Sequence, residues 1–369
     1  MKAQVDVFVV GGGPAGLVAG IAARAQGFTV MVADGSGYPI DKPCGEGLLP
    51  ETRAVLGELN IQMPRALGQT LRGIRLVQTG HQVCAEFPGG QGIGIRRTIL
   101  HELLVTEAEE RGVQLLWRSP VTGIDGNSVR LGHGSVAADW IVGADGSGSR
   151  VRKWSGLEAT RSHHQRFATR RHYRVKPWTD YMEIYWGECV QGYVTPLSRN
   201  EICIVVMADE AQNANFERAL EKWPDLKTRL ADREISSRER GAINSMRSLE
   251  NVCRGRIALV GDASGSVDAI TGEGLRLAFS QAILLAEGMR SGDLGEYQQA
   301  HRRLTKRPTR LGKLLVLLGR HATIRQRAIK TMAARPEIFQ EFLAIHGGYS
   351  SASRILGMGA RMGWEFLSA

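Results

Sequence analysis

The spacing of apolar and polar positions changes character along the chain. Residues 5–10 are mostly β-branched and apolar, as a strand buried on both faces should be. A helical apolar run follows at 17–25, Gly27 ends it, and 28–32 forms a second strand. Apolar runs that pass straight into glycine-bearing turns recur at 138–146 and 256–263, and a further apolar helix begins near 274. Strand-like runs at 167–175, 181–186, 190–195 and 201–207 predict an antiparallel sheet. Within it, alternation places Tyr181, Glu183 and Tyr185 on one face and Met182, Ile184 and Trp186 on the other. From about 296 onward the pattern is helical. Leu311, Leu314, Leu315 and Leu318 share one stripe, and Pro336 restarts a helix toward Phe339 and Phe342.

The turns carry the chemistry. Gly11-Gly12-Gly13-Pro14-Ala15-Gly16 lies between the first strand and the first helix, and Asp34 ends the second strand. This is the dinucleotide fingerprint in its required setting. Gly11 permits the tight turn, Gly13 lets backbone approach a pyrophosphate, and Gly16 lets helix and strand pack closely. The helix N-terminus offers free N–H groups to the phosphates, and Asp34 can accept from a ribose hydroxyl. The fingerprint alone does not separate NAD from FAD.

Two further segments do: Gly143-Ala144-Asp145-Gly146, and Gly261-Asp262-Ala263 followed by Thr271-Gly272-Glu273-Gly274-Leu275. In this order and spacing the set resembles the FAD-binding fold shared by single-component aromatic hydroxylases, geranylgeranyl reductases and flavin-dependent halogenases, over residues 1–290. The resemblance implies non-covalent FAD, with NAD(P)H docking transiently as reductant. It implies that Gly11, Gly13, Pro14, Ala15, Gly16 and Asp34 hold the ADP half, with Arg97 opening a helix beside the cofactor. Asp145 belongs to a motif associated with flavin and nicotinamide binding. Gly261 and Asp262 lie near the ribityl chain and pyrophosphate, and Gly272, Gly274 and Leu275 under the isoalloxazine.

The expected fold class is α/β: a Rossmann-like three-layer FAD-binding domain with an inserted antiparallel β-sheet substrate domain and a helical C-terminus. The FAD-binding domain is assigned discontinuously to 1–75, 92–160 and 250–295, the substrate sheet to 76–91 and 161–249, and the helical segment to 296–369.

Lys42-Pro43-Cys44-Gly45-Glu46-Gly47-Leu48-Leu49-Pro50 bears on the branch. It resembles the P-C-G-x-G-L segment of geranylgeranyl reductases, and also the G-E-S-L-L-P segment of halogenases, with Gly47 where serine is usual. Thr271-Gly272-Glu273-Gly274 leans toward the reductases, and the G-Q-G form of aromatic hydroxylases is absent. The halogenase W-x-W-x-I-P signature is missing at 192–196. Cys44 and Gly45 are candidate flavin neighbours, and Cys44 reads equally as a small packed thiol. Glu46 is a candidate acid or base, or a turn residue bonding backbone N–H groups. On the substrate side, Met182 and Trp186 are candidate pocket residues or ordinary core. Arg170 and His172 share one parity and could meet an acidic substrate group, with a solvated edge the simpler reading. His163-His164 reads as a surface loop, and no metal site is expected.

Composition narrows the class without naming a reaction. The content is 43% hydrophobic and 23% charged, a globular balance, and no apolar run is long enough to span a membrane. Residues 5–10 end in glycines, so they read as a strand rather than a signal peptide. The five cysteines are widely spaced without a C-x-x-C, which favours a reducing, cytoplasmic setting. The net charge of +10 is concentrated beyond residue 300. A solvated helix surface accounts for it, and a membrane surface or an acidic carrier protein is a possible partner. Nucleic acid is not expected, and the oligomeric state is open. The first functional reading is an NAD(P)H-using monooxygenase that oxygenates an aromatic or polyketide-like molecule, as in secondary metabolism. The second is a reductase of carbon–carbon double bonds in an isoprenoid or other apolar chain, with Cys44 near the reacting carbon. A flavin-binding sensor or assembly partner is the third.

Overall fold

The structure is a computed structural model that describes residues 3–78, 80–132, 134–158 and 161–350; the last part of the expected helical segment, 351–369, lies outside the described residues. Its first sheet runs in the order Cys253–Arg254, Ile257–Leu259, Gly134–Gly143, Ala3–Val10, Val30–Ala33, Gln114–Leu116. Ala3–Val10 pairs in parallel with both neighbours, and Ile257–Leu259 is parallel to Gly134–Gly143. In register, Ala33, Val10, Gly143 and Leu259 form one row across four strands. The three glycine segments leave the sheet just beyond that row. Segments separated by more than a hundred residues therefore meet at one sheet edge, the position where open α/β sheets bind ligands.

The helix after the first turn spans Pro14–Ala25, beginning three residues earlier than the apolar run, because Pro14 occupies the first helical position where its missing N–H costs nothing. The second strand is Val30–Ala33, with Phe28 and Thr29 left in the connection. Helices Arg97–Glu110 and Gly274–Ser291 pack with Pro14–Ala25 around a core that includes Leu17, Ile21, Leu104, Phe279 and Leu285.

The second sheet has the order Glu234–Ile235, Arg161–Arg174, Glu201–Ala208, Val190–Ser198, Tyr181–Trp186, Gly73–Gln78, His81–Glu86. The last hairpin joins through a parallel pairing of Gly73–Gln78 with Tyr181–Trp186. The long strand Arg161–Arg174 also pairs with Arg240–Ser248, which the apolar pattern did not reveal. That strand is mostly half-buried or exposed, so it lacks the clean alternation of a core strand. The His163-His164 pair, expected in a loop, belongs to Arg161–Arg174, because backbone pairing with Arg240–Ser248 extends the strand through it.

Helices Leu294–Arg320, Ala322–Ala334 and Pro336–Gly347 lie against this sheet. Leu315, Ile329, Phe339 and Leu343 share a core with Leu76, Val83, Trp186 and Tyr193 from the strands. The C-terminal helices are also tied to the first sheet, where the buried Tyr297 hydroxyl donates to the Leu259 carbonyl at 2.6 Å. No helix among the described residues is long and apolar enough to cross a membrane.

Candidate functional site

The first turn is built by close approach. Gly11 has a φ of +112°, and a Cβ there would come 2.4 Å from the Ala144 carbonyl oxygen. A Cβ on Gly16 would come 1.8 Å from the Gly11 carbonyl oxygen, so helix and turn touch only because both positions lack side chains. Gly13 differs: nothing lies within 4 Å of its would-be Cβ, and it lines a cavity. The helix behind it has no side-chain cap, which leaves first-turn N–H groups available to an anion. Asp34 steadies the turn, accepting from the Gly12 N–H with Oδ2 and from the Ser36 N–H with Oδ1, each at 2.7 Å. His101 supports it from below, its Nε2–H donating to the Gly12 carbonyl at 2.8 Å. Burial holds His101 below its ordinary pKa and keeps it neutral for that role.

The other turns complete the edge. Asp145 accepts from the Ser149 hydroxyl at 2.5 Å and from the N–H groups of Arg150 at 2.7 Å and Val151 at 3.1 Å, so its carboxylate shapes the turn. Asp262 pairs with Lys42 at 3.0 Å across the cavity mouth. Gly272 is left-handed, with φ +66°, and releases the chain into the uncapped helix Gly274–Ser291.

Cys44-Gly45-Glu46 forms a wall between the two sheets, and a single row of the second sheet holds it. Thr195, Cys203 and His172 are cross-strand neighbours in adjacent strands. The Thr195 hydroxyl donates to the Gly45 carbonyl at 2.7 Å, the Cys203 thiol to the Cys44 carbonyl at 3.7 Å, and His172 Nε2 to Glu46 Oε2 at 2.6 Å. Glu46 Oε1 accepts from the Arg97 N–H at 2.9 Å and from Arg170 Nη1 at 3.3 Å. Arg170 in turn makes a bidentate pair with Asp41 at 2.8 and 3.0 Å. Burial works against the Arg170 charge, but Asp41 and Glu46 hold its pKa above the ordinary value, and the pairing holds Asp41 below its own.

This corrects the reading of Arg170 and His172. They are 1% and 0% exposed, on no solvated edge, and they stand behind the wall rather than on the cavity surface. Their parity placed them on the inner face, where the carboxylates of Asp41 and Glu46 take them up. Glu46 does bond a backbone N–H, as its turn reading held, and it also joins an ion-pair network that the sequence did not show. Glu46, His172 and Cys203 bring ligand-type atoms within 4.8 Å of one another. The Glu46 carboxylate is already taken up by protein partners: Arg170 and the Arg97 N–H on Oε1 and His172 on Oε2.

One cavity of about 1220 Å³ runs from the glycine turns past Cys44 and Gly45 into a chamber between the second sheet and the C-terminal helices. Pockets for single drug-sized ligands measure about 300–1,000 Å³, so this cavity is larger than one such ligand needs. Gly11, Gly13, Pro14, Ala15, Gly16, Asp34, Arg97, Asp145, Gly261, Asp262, Gly272, Gly274 and Leu275 are brought together, though Gly16 acts through packing rather than on the cavity surface. The residues fit FAD. The cavity surface at Gly13, Gly45 and Gly274 is open where any side chain would fill it. The Nε of the buried Arg97 has no hydrogen-bond partner among the described residues. Met182 and Trp186 both line the chamber, on the face that alternation assigned them. Sequence reasoning gave no role to Lys42, although it opens the 42–50 segment, nor to His101 and Tyr193, and it missed the buried Arg166–Asp268 pair at 3.3 Å, which no motif marks.

Cofactor retention and folding separate at two glycines. Gly13→Val is expected to purify without flavin absorbance while its apo-protein keeps the wild-type apo thermal midpoint. Gly16→Val should lose flavin and lower the midpoint as well. A pH dependence follows from His301, which lies 3.0 Å from the Ser264 hydroxyl, where burial pushes its pKa down to about 4. In the unfolded chain the value is about 6.5. The unfolded state therefore binds the extra proton between these values, so stability is full above about 6.5 and falls as pH drops toward about 4. Urea midpoints measured across that window should show the slope in the wild type and a shallower one in His301→Gln.

Comparison with known proteins agrees with this geometry. The chain is 29% identical over 317 residues to the menaquinone reductase of Mycobacterium tuberculosis (strain ATCC 25618 / H37Rv), covering 79% of this chain and 78% of the relative. It is 26% identical over 320 residues to digeranylgeranylglycerophospholipid reductase 1 of Methanococcoides burtonii, covering 80% and 78%. Its fold matches that of a flavoprotein/dehydrogenase from Cytophaga hutchinsonii with a TM-score of 0.81 at 19% identity, covering 94% and 93%. The FAD binding domain family matches residues 4–291, and the chain belongs to that family of FAD-dependent oxidoreductases.

Proposed function

We propose that the protein is a flavin-dependent reductase that saturates carbon–carbon double bonds in a long, apolar, isoprenoid-like substrate, with NAD(P)H as transient electron donor. The observation that carries this reading is the chamber beyond the Cys44–Gly45 wall. Ile74, Leu76, Met182, Leu315, Phe339 and Leu343 are among its lining residues, and they offer an extended apolar surface. Such a surface gains free energy from burying hydrocarbon and gives little direction to a small polar ring. The names of the two relatives support the same substrate class, since menaquinone and digeranylgeranylglycerophospholipid both carry isoprenoid chains. FAD, when bound and reduced by NAD(P)H, would supply the hydride for one carbon of the double bond, with the proton for the other coming from solvent. The protein's own part is to orient the chain, to exclude water with the C-terminal helices, and to keep the wall rigid through Glu46. Cys44 lies on the cavity surface, where the reductase reading places it near the reacting carbon.

The monooxygenase reading uses the same cofactor edge and differs in what the second molecule is. One assay separates the two. FAD-loaded protein is given NADPH or NADH with prenyl lipids, phenols or polyketides, with and without oxygen, and products are weighed by mass spectrometry. The expected result is a prenyl product carrying two added hydrogens, formed without oxygen. An oxygen-dependent product carrying an added oxygen atom overturns the proposal in favour of monooxygenation. No turnover of either nicotinamide with any substrate points instead to a sensor or assembly role.

A further inference from the structure

The positive charge of this chain has one address. Residues 297–336 contain 11 Lys and Arg and no Asp or Glu; the other 36 basic residues face 37 acidic ones, a balance of −1. The whole net charge of +10 therefore comes from the helices that close the chamber. In Leu294–Arg320 the exposed side chains of Arg303, Lys306, Arg310, Lys313, Leu314 and Leu317 fall on one side of the helix, opposite the buried His301, Gly312 and Leu315. Lys306, Arg310 and Lys313 make no salt bridge among the described residues.

Apolar side chains stand among these cations. Leu314 is 48% exposed, Leu317 51% and Ile324, on the next helix, 40%. Cations alone would suit any polyanion, but exposed aliphatic side chains set between them suit a surface with an anionic skin and an apolar interior. Leu314 also lines the chamber, as does Ile243, which is 57% exposed. The same face is thus the rim of the cavity, and what docks there is in position to pass apolar molecules inward.

We propose that this face docks on an anionic lipid bilayer and that the rim at Leu314 and Ile243 is the door through which the substrate leaves the membrane. The docking stands on charge and exposure alone; the door rests on the reductase reading. Each cation near an anionic membrane contributes about 1 kcal/mol, screened by salt, and the leucines add burial in the interfacial layer.

The test uses the full chain loaded with FAD, sedimented with phosphatidylglycerol/phosphatidylcholine vesicles or with phosphatidylcholine vesicles alone. Binding is expected on the mixed vesicles, weakened by salt and absent on the neutral ones. Arg310→Glu with Lys313→Glu should weaken it about tenfold or more, with flavin content and circular dichroism unchanged. Leu314→Ser with Leu317→Ser should weaken it too, which a purely electrostatic contact would not show. Equal binding to neutral vesicles, or a charge-reversed variant that binds like wild type, overturns the docking. So does a wild type that ignores vesicles but dimerises through this face in sedimentation equilibrium. Vesicle binding without reduction of any prenyl lipid leaves the docking intact and overturns the door and the reductase. Reduction of detergent-dispersed prenyl lipid without vesicle binding leaves the reductase intact and overturns the docking, and the door with it.

Discussion

The contact on which the site depends is the row Thr195, Cys203, His172 laid against the wall Cys44-Gly45-Glu46. One sheet presents three side chains in a line, and each holds one residue of the connection that follows strand Val30–Ala33 of the other sheet. The Glu46 carboxylate extends the tie to the start of helix Arg97–Glu110 through the Arg97 N–H. The residue carries a φ of +57°, an uncommon conformation for a side chain of its size, and the network around its carboxylate holds it there. Burying the Glu46 carboxylate depends on its partners, and removing Arg170 would take away its only guanidinium partner in a dry place.

The rest of the cavity is arranged around this wall. On one side, four parallel strands end in a common row, and glycines let their turns approach within contact distance. On the other side, Met182, Ile184 and Trp186 project from the second sheet toward the C-terminal helices. The helices do not merely cover hydrophobic surface. Tyr297 anchors them to the first sheet, His301 reaches Ser264 beside the flavin turn, and His346 bonds the Thr271 carbonyl at 2.8 Å. A segment that begins as a basic amphipathic tail in sequence thus becomes part of both halves of the cavity.

Much of the cofactor edge was legible in the chain itself. Turns that need glycine by φ or by close approach announce themselves, and the strand-to-helix period around residues 5–34 leaves one reading. The reason is local: a phosphate-binding turn needs particular residues within six positions, so its chemistry is written contiguously. The strands at 181–186 and 201–207 were equally plain, because their apolar side chains pack into cores, those of Glu201–Ala208 on both faces. Arg240–Ser248 was not, since a half-exposed strand is held by backbone pairing and owes little to its side chains.

What only the tertiary structure decided is the company that side chains keep. Arg170 and His172 looked like an edge because sequence records parity but not what lies opposite. Asp41 and Glu46, more than a hundred residues away, turn that face into a buried ion-pair network. The chamber is of the same kind: its lining comes from strands, the loop before helix Gly274–Ser291 and the C-terminal helices, none of which is a pocket alone. The chain by itself determined the glycine turns that meet at one sheet edge and the FAD-binding family they belong to. The assembled fold decided that an apolar chamber lies beside it, because volume and closure are properties of packed surfaces and no local stretch of residues contains them.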